Sequence, residues 1–124
     1  MLIDDHLSMG MVFKIMLTTL GCDPKSFDFC QDVDSATELL KQNPAYQIIF
    51  LDHSVPPTYH FRESLIVMDN LNDTTPVILF SGLIPQDFGS QPIDARINQC
   101  LEKDHLSPGS LYAILKEHGV RLGA

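Results

Sequence analysis

Apolar residues along this 124-residue chain fall into short clusters separated by polar turns, and two periods alternate. Leu2-Ile3 is a minimal strand at the start. From Leu7 to Leu20 the apolar positions recur at helical spacing, which predicts Val12, Ile15, Met16 and Leu20 on one face and Gly21 as the stop. Phe27 and Phe29 alternate with polar neighbours, so Ser26 to Cys30 reads as a strand. Ser35-Ala36-Thr37-Glu38 has the form of a capping box. It opens a helix through Leu39 and Leu40 to about Gln42, where Asn43-Pro44 breaks it. Ile48-Ile49-Phe50-Leu51-Asp52 and Pro76-Val77-Ile78-Leu79-Phe80 are nearly unbroken apolar runs of strand length. Between them, Phe61 to Leu71 predicts a helix with Phe61, Leu65 and Met68 on one side. The segment holding Pro85, Gly89 and Pro92 shows no period, so any helix there is short. Cys100-Leu101-Glu102 is a weak last strand, and Ser107-Pro108 caps a final helix through Leu111, Ile114 and Leu115.

The succession is strand then helix, five times over. Continuous Ile/Leu/Val/Phe runs suit strands of a parallel sheet covered on both faces. Right-handed crossovers then give a doubly wound, three-layer α/β sandwich. No repeat, linker or low-complexity tract interrupts it, so one domain over residues 1–124 is expected. In such sheets ligands gather beyond the carboxyl ends of the strands. Asp4 and Asp5 follow the first strand, Asp52 ends the third, Ser81-Gly82 end the fourth, and the fifth runs into Lys103.

Three carboxylates at one sheet edge oppose one another's ionisation, and a divalent cation resolves that conflict. Oxygen ligands with room for water suit Mg2+. Lys103 adds a compact charge for a phosphate oxygen, Ser81 a hydroxyl donor, and Gly82 leaves space beside it. The set is equipped for phosphoryl transfer to a carboxylate, with Asp52 as nucleophile and Asp4-Asp5 as a metal-holding pair.

Charge and composition narrow the partners. Sixteen acidic against eight basic residues leave a net charge of −8 and no basic cluster, which argues against nucleic-acid binding by this chain. The apolar runs are too short to span a membrane. Two acids stand near the start where a signal peptide would carry basic residues, so a cytoplasmic location is expected. Three scattered cysteines, Cys22, Cys30 and Cys100, with no CxxC, read as reduced thiols. His6, His53, His60, His105 and His118 show no metal spacing and read as surface residues, with His53 and His60 near the site by position alone. Met9, Met11 and Met16 read mainly as core filler, with any exposed ones offering a docking patch.

In this order and spacing, the residues resemble the receiver domain of two-component response regulators, of the chemotaxis-regulator type. The matching positions are Asp4-Asp5, Leu51-Asp52-His53-Ser54-Val55-Pro56, Ser81-Gly82 and Lys103, separated by 47, 29 and 22 residues from Asp5 onward. The resemblance implies a flavodoxin-like fold with strand order 2-1-3-4-5 and phosphorylation of Asp52 with Mg2+. It also implies that the backbone carbonyl of Ser54 completes the metal shell, and that a sensor histidine kinase or histidine phosphotransfer protein donates the phosphoryl group. The last stretch, KDHLSPGSLYAIL, is similar to receivers that precede a helix-turn-helix output domain.

The chain departs from that pattern in places. Its first strand is short, Pro57-Thr58-Tyr59-His60 replaces the usual Asp-Gly, Cys100 stands at the aromatic switch position, and Asp104 follows the lysine. With Pro85 and Pro92, Cys100 motivates an alternative: a receiver-like scaffold or homodimerisation module that is not phosphorylated. An aspartyl-phosphate phosphatase is disfavoured, because Ser54 stands where that class wants a second acid.

Overall fold

The computed structural model describes residues 1–43, 45–68, 74–82 and 96–121. Its strands are β1 (Leu2–Ile3), β2 (Phe29–Cys30), β3 (Ile49–Asp52), β4 (Val77–Ser81) and β5 (Gln99–Glu102). The α-helices among the described residues are α1 (Leu7–Thr19), α2 (Val33–Gln42), α3 (Phe61–Val67) and α4 (Pro108–Glu117). All strand pairs are parallel, and the sheet order is β2-β1-β3-β4-β5. This is the expected doubly wound arrangement. Any helix between β4 and β5 falls on residues 83–95, and the predicted end of α3 at Leu71 falls on 69–73, both outside the described residues.

Alternation along each apolar run supplies both faces of the sheet. Ile49, Leu51, Val77 and Leu79 pack with Val33, Ala36 and Leu40 of α2 and Phe61 of α3. Ile48, Phe50, Ile78 and Phe80 pack with Phe13 of α1 and Leu111, Ile114 and Leu115 of α4. Phe13 meets Phe50 and Phe80 edge-on, at centroid distances of 5.0 and 5.2 Å, and is fully buried. Two layers of helix therefore clamp a sheet whose central strand is β3, flanked by β1 and β4.

Several local expectations are corrected. The inward face of α1 is built on Gly10 and Phe13, while Val12 and Ile15 are 38% and 66% exposed. That helix is apolar nearly all round, so its period alone did not fix the face. Asp32, not Ser35, caps α2: its carboxylate accepts from the Ser35 amide, and Val33 opens the helix buried. Glu38 instead pairs with Lys41. The predicted strand over Ser26 to Cys30 shrinks, because Pro24–Ser26 form a 3-10 turn closed by Asp23. The loop after β3 carries Tyr59 at φ 61°, and His60 caps α3 through Nδ1.

The stop signals hold. Gly21 has φ +98°, and Cys22 N–H donates to the Leu17 carbonyl while Gly21 N–H donates to that of Thr18, which is a Schellman ending for α1. Ser107 and Ser110 cap one another reciprocally at the start of α4.

Gly10 shows how tightly α1 meets β2. A Cβ there would lie 2.6 Å from the Phe29 ring. Gly10→Ala should therefore destabilise the protein by roughly 1–3 kcal/mol through overpacking, against the gain of about 1 kcal/mol that alanine brings to a helix interior. Urea unfolding checks the sign; a stabilised variant would mean that Phe29 gives way freely.

Candidate functional site

Parallel pairing brings four strand ends to one edge. Asp4 follows Ile3 directly and is fully buried, its amide held by the Cys30 carbonyl at 2.9 Å. Asp52 is the last residue of β3, 3% exposed, and pairs in register with Phe80. Ser81 ends β4, 1% exposed, opposite Glu102 of β5. Lys103 opens the 3-10 turn after β5, its ammonium 5.4 Å over the Phe80 ring. Asp5 is exposed, and Gly82 has open space where a side chain would be.

The ammonium of Lys103 lies 2.9 Å from Asp4 Oδ2 and 3.6 Å from Asp52 Oδ2. One cation thus serves two buried carboxylates. Asp52 Oδ1 has no hydrogen-bond partner. Burial, followed by the charge of Asp4, raises the Asp52 pKa above the usual carboxylate value, while Lys103 and His53 oppose the rise. Such a site holds a deficit of positive charge, and the unsatisfied oxygen of Asp52 faces it.

Ligand atoms of Asp4, Asp5, His6 and Asp52 lie within 4.8 Å of one another. Carboxylates of this number, with an orphaned buried oxygen among them, fit a divalent cation with water completing its shell. Ser54 is half-buried two residues beyond Asp52. Cys100 lies on β5 beside Leu79, half-buried against the core on the α2–α3 face. Burial raises its thiol pKa.

Two of the histidines, on the surface as expected, also contact the strand-end groups. His53 Nδ1 lies 2.9 Å from Ser81 Oγ and 3.4 Å from Asp52 Oδ1. His6 Nδ1 lies 3.0 Å from Asp4 Oδ1 and 3.1 Å from Asp5 Oδ1. Histidine-to-histidine spacing could not reveal either, because each works with carboxylates adjacent in sequence. Their signal is adjacency to the strand-end acids. His60 caps a helix, and His105 and His118 pair with Glu102 and Gln99. A cavity of about 330 Å³ lies at the other end of the strands, lined by Phe13, Phe27, Tyr46 and Phe50 among others, with none of the clustered acids. No helix among the described residues is long and apolar enough to cross a membrane.

The raised Asp52 pKa has a signed consequence. Because the folded state holds the Asp52 proton more tightly than the unfolded chain, stability from this group is present below its ordinary pKa and is lost as pH rises through the raised one. At neutral pH Asp52→Asn should therefore melt higher, since Lys103 keeps Asp4 at 2.9 Å as its partner. A gain of roughly 1 kcal/mol, or about 3–5 °C, is expected. The gain should disappear below about pH 4, where the parent carboxyl is protonated in both states. Thermal melts at pH 7 and pH 3.5 check this; a lower melting point for the variant at pH 7 would contradict it.

No family model and no curated protein matches the chain. Solved structures do. The receiver domain of a sensor histidine kinase from Pseudomonas aeruginosa, with magnesium coordinated in its active-site cleft, aligns at TM-score 0.75 and 20% identity, over 95% of this chain and 94% of that one. The receiver domain of NtrX from Brucella abortus aligns at TM-score 0.76 and 18% identity, over 94% of each chain. A chemotaxis-regulator-like receiver domain from Methylobacillus flagellatus aligns at TM-score 0.69 and 19% identity, again over 94% of each. The likeness spans nearly the whole chain and is one of architecture: this protein has the fold of the response-regulator receiver domains.

Proposed function

We propose that the chain is a single phosphoacceptor receiver domain that takes a phosphoryl group from a phosphohistidine onto Asp52. One observation carries this reading: Asp52 ends the central strand β3 with a buried carboxylate oxygen that has no hydrogen-bond partner, beside Asp4 and Lys103. A carboxylate oxygen of Asp52 attacks phosphorus, the P–N bond breaks, and the donor imidazole leaves with its electron pair. The acyl phosphate is later hydrolysed by water, which returns the carboxylate and inorganic phosphate. Asp4, Asp5 and Asp52, with the Ser54 carbonyl, would hold Mg2+, which supplies charge neutralisation on the transferring group when bound. Lys103 pairs with a phosphoryl oxygen, and Ser81 donates its hydroxyl to another.

The switch follows from the same contacts. Lys103 now divides itself between Asp4 and Asp52, and Ser81 Oγ is held by His53 at 2.9 Å. An acyl phosphate offers both a stronger partner and biases a two-state equilibrium toward the inward arrangement. The donor would be a sensor histidine kinase or a histidine phosphotransfer protein in the cytoplasm. The exposed apolar residues Leu7, Met11 and Ile15 of α1 suit its docking.

Incubation with acetyl phosphate and Mg2+, followed by intact-mass measurement, tests the chemistry. The expected result is a gain of one phosphoryl group, absent in Asp52→Asn and strongly reduced in Lys103→Ala. No gain, with no response to beryllofluoride, would overturn the reading in favour of a scaffold or homodimerisation module. Steady turnover of a phosphomonoester would point to a phosphatase instead.

A further inference from the structure

His6 takes no part in the reaction described above, yet its ring is aimed at the acids. The His6 amide donates to Asp4 Oδ1 at 2.9 Å, which fixes the backbone turn at the start of α1. Nδ1 of the same residue sits 3.0 Å from Asp4 Oδ1 and 3.1 Å from Asp5 Oδ1. The side chain is 64% exposed and makes no capping hydrogen bond to α1, so helix formation does not explain its orientation. A second, independent observation points to a cation: Asp52 is 3% exposed, and its Oδ1 has no hydrogen-bond partner.

Donors from Asp4, Asp5, His6 and Asp52 already fall within 4.8 Å of one another. Atoms bound to one ion at about 2.1 Å lie at most roughly 4.2 Å apart. Modest side-chain closure therefore brings the imidazole and the carboxylates onto a single ion. In the absence of an ion, Nδ1–H donates between the two acidic side chains. Coordination by Nδ1 requires that proton to leave, and Nε2 is the other ring position that can carry one.

We propose that His6 is a metal ligand, giving this site a nitrogen donor and a bias toward divalent transition ions of the Co2+ and Zn2+ kind. Imidazole suits such ions, whereas Mg2+ prefers oxygen and keeps its waters. Mg2+ still binds through the carboxylates, with His6 as a bystander. The inference rests on the reading of Asp4, Asp5 and Asp52 as metal ligands, but not on phosphorylation.

The test is calorimetric titration of the protein, His6→Ala and Asp4→Asn with CoCl2 and with MgCl2, joined to proton NMR of the Co2+-loaded protein. His6→Ala should weaken Co2+ at least roughly ten-fold and leave Mg2+ within about three-fold. The Co2+ form should show a strongly shifted, solvent-exchangeable imidazole N–H resonance that disappears in His6→Ala. Asp4→Asn should weaken both ions. Equal Co2+ affinity in His6→Ala, an equal loss for the two ions, or Co2+ binding that survives Asp4→Asn would each overturn the proposal. Phosphorylation of Asp52 with Mg2+ is scored separately by mass: labelling without the His6 effect sinks this inference alone, and the His6 effect without labelling sinks the phosphoacceptor reading alone.

Discussion

Two carboxylates buried at adjacent strand ends share one ammonium, and the organisation of the site follows from that imbalance. Asp4 is fully buried and Asp52 3% exposed, while Lys103 lies 2.9 Å from the first and 3.6 Å from the second. Burying two like charges is costly unless positive charge is brought to them. A parallel sheet clamped by helices on both faces supplies the rigidity to hold them there. The Phe13, Phe50 and Phe80 cluster fixes the β3 and β4 ends from one side, and Leu51 and Leu79 fix them from the other.

This imbalance links stability to function. A fold that keeps Asp4 and Asp52 together leaves them short of positive charge, and under the proposed function a bound cation and an acyl phosphate would draw on Lys103 and Ser81. His53 belongs to the same economy, since it holds the Ser81 hydroxyl while also facing Asp52. Holding the Ser81 hydroxyl on a neighbouring imidazole means that any inward movement of Ser81 would have to release that contact.

The architecture was legible because β3 and β4 are unmistakable: runs such as Ile48 to Leu51 admit a doubly covered parallel strand and little else. Strand ends then located Asp4, Asp52, Ser81 and Lys103 without any side-chain geometry. What stayed hidden involved choices between near-equal local options. On α1, Val12, Phe13, Ile15 and Met16 are all apolar, and only packing against β3 and β4 selected Phe13. At α2, Asp32 and Ser35 are both good caps, and the earlier one won because it lets Val33 bury. Position alone put His53 near the site, but histidine spacing showed neither its contacts with Ser81 and Asp52 nor those of His6 with Asp4 and Asp5.

The shared-cation account is tested most directly by carboxyl carbon NMR of the side chains during a Mg2+ titration. The account predicts that the Asp4, Asp5 and Asp52 resonances shift together and saturate at one equivalent, with the other acids unmoved. Independent responses of these three, or saturation only with many equivalents and at surface acids alike, would contradict it.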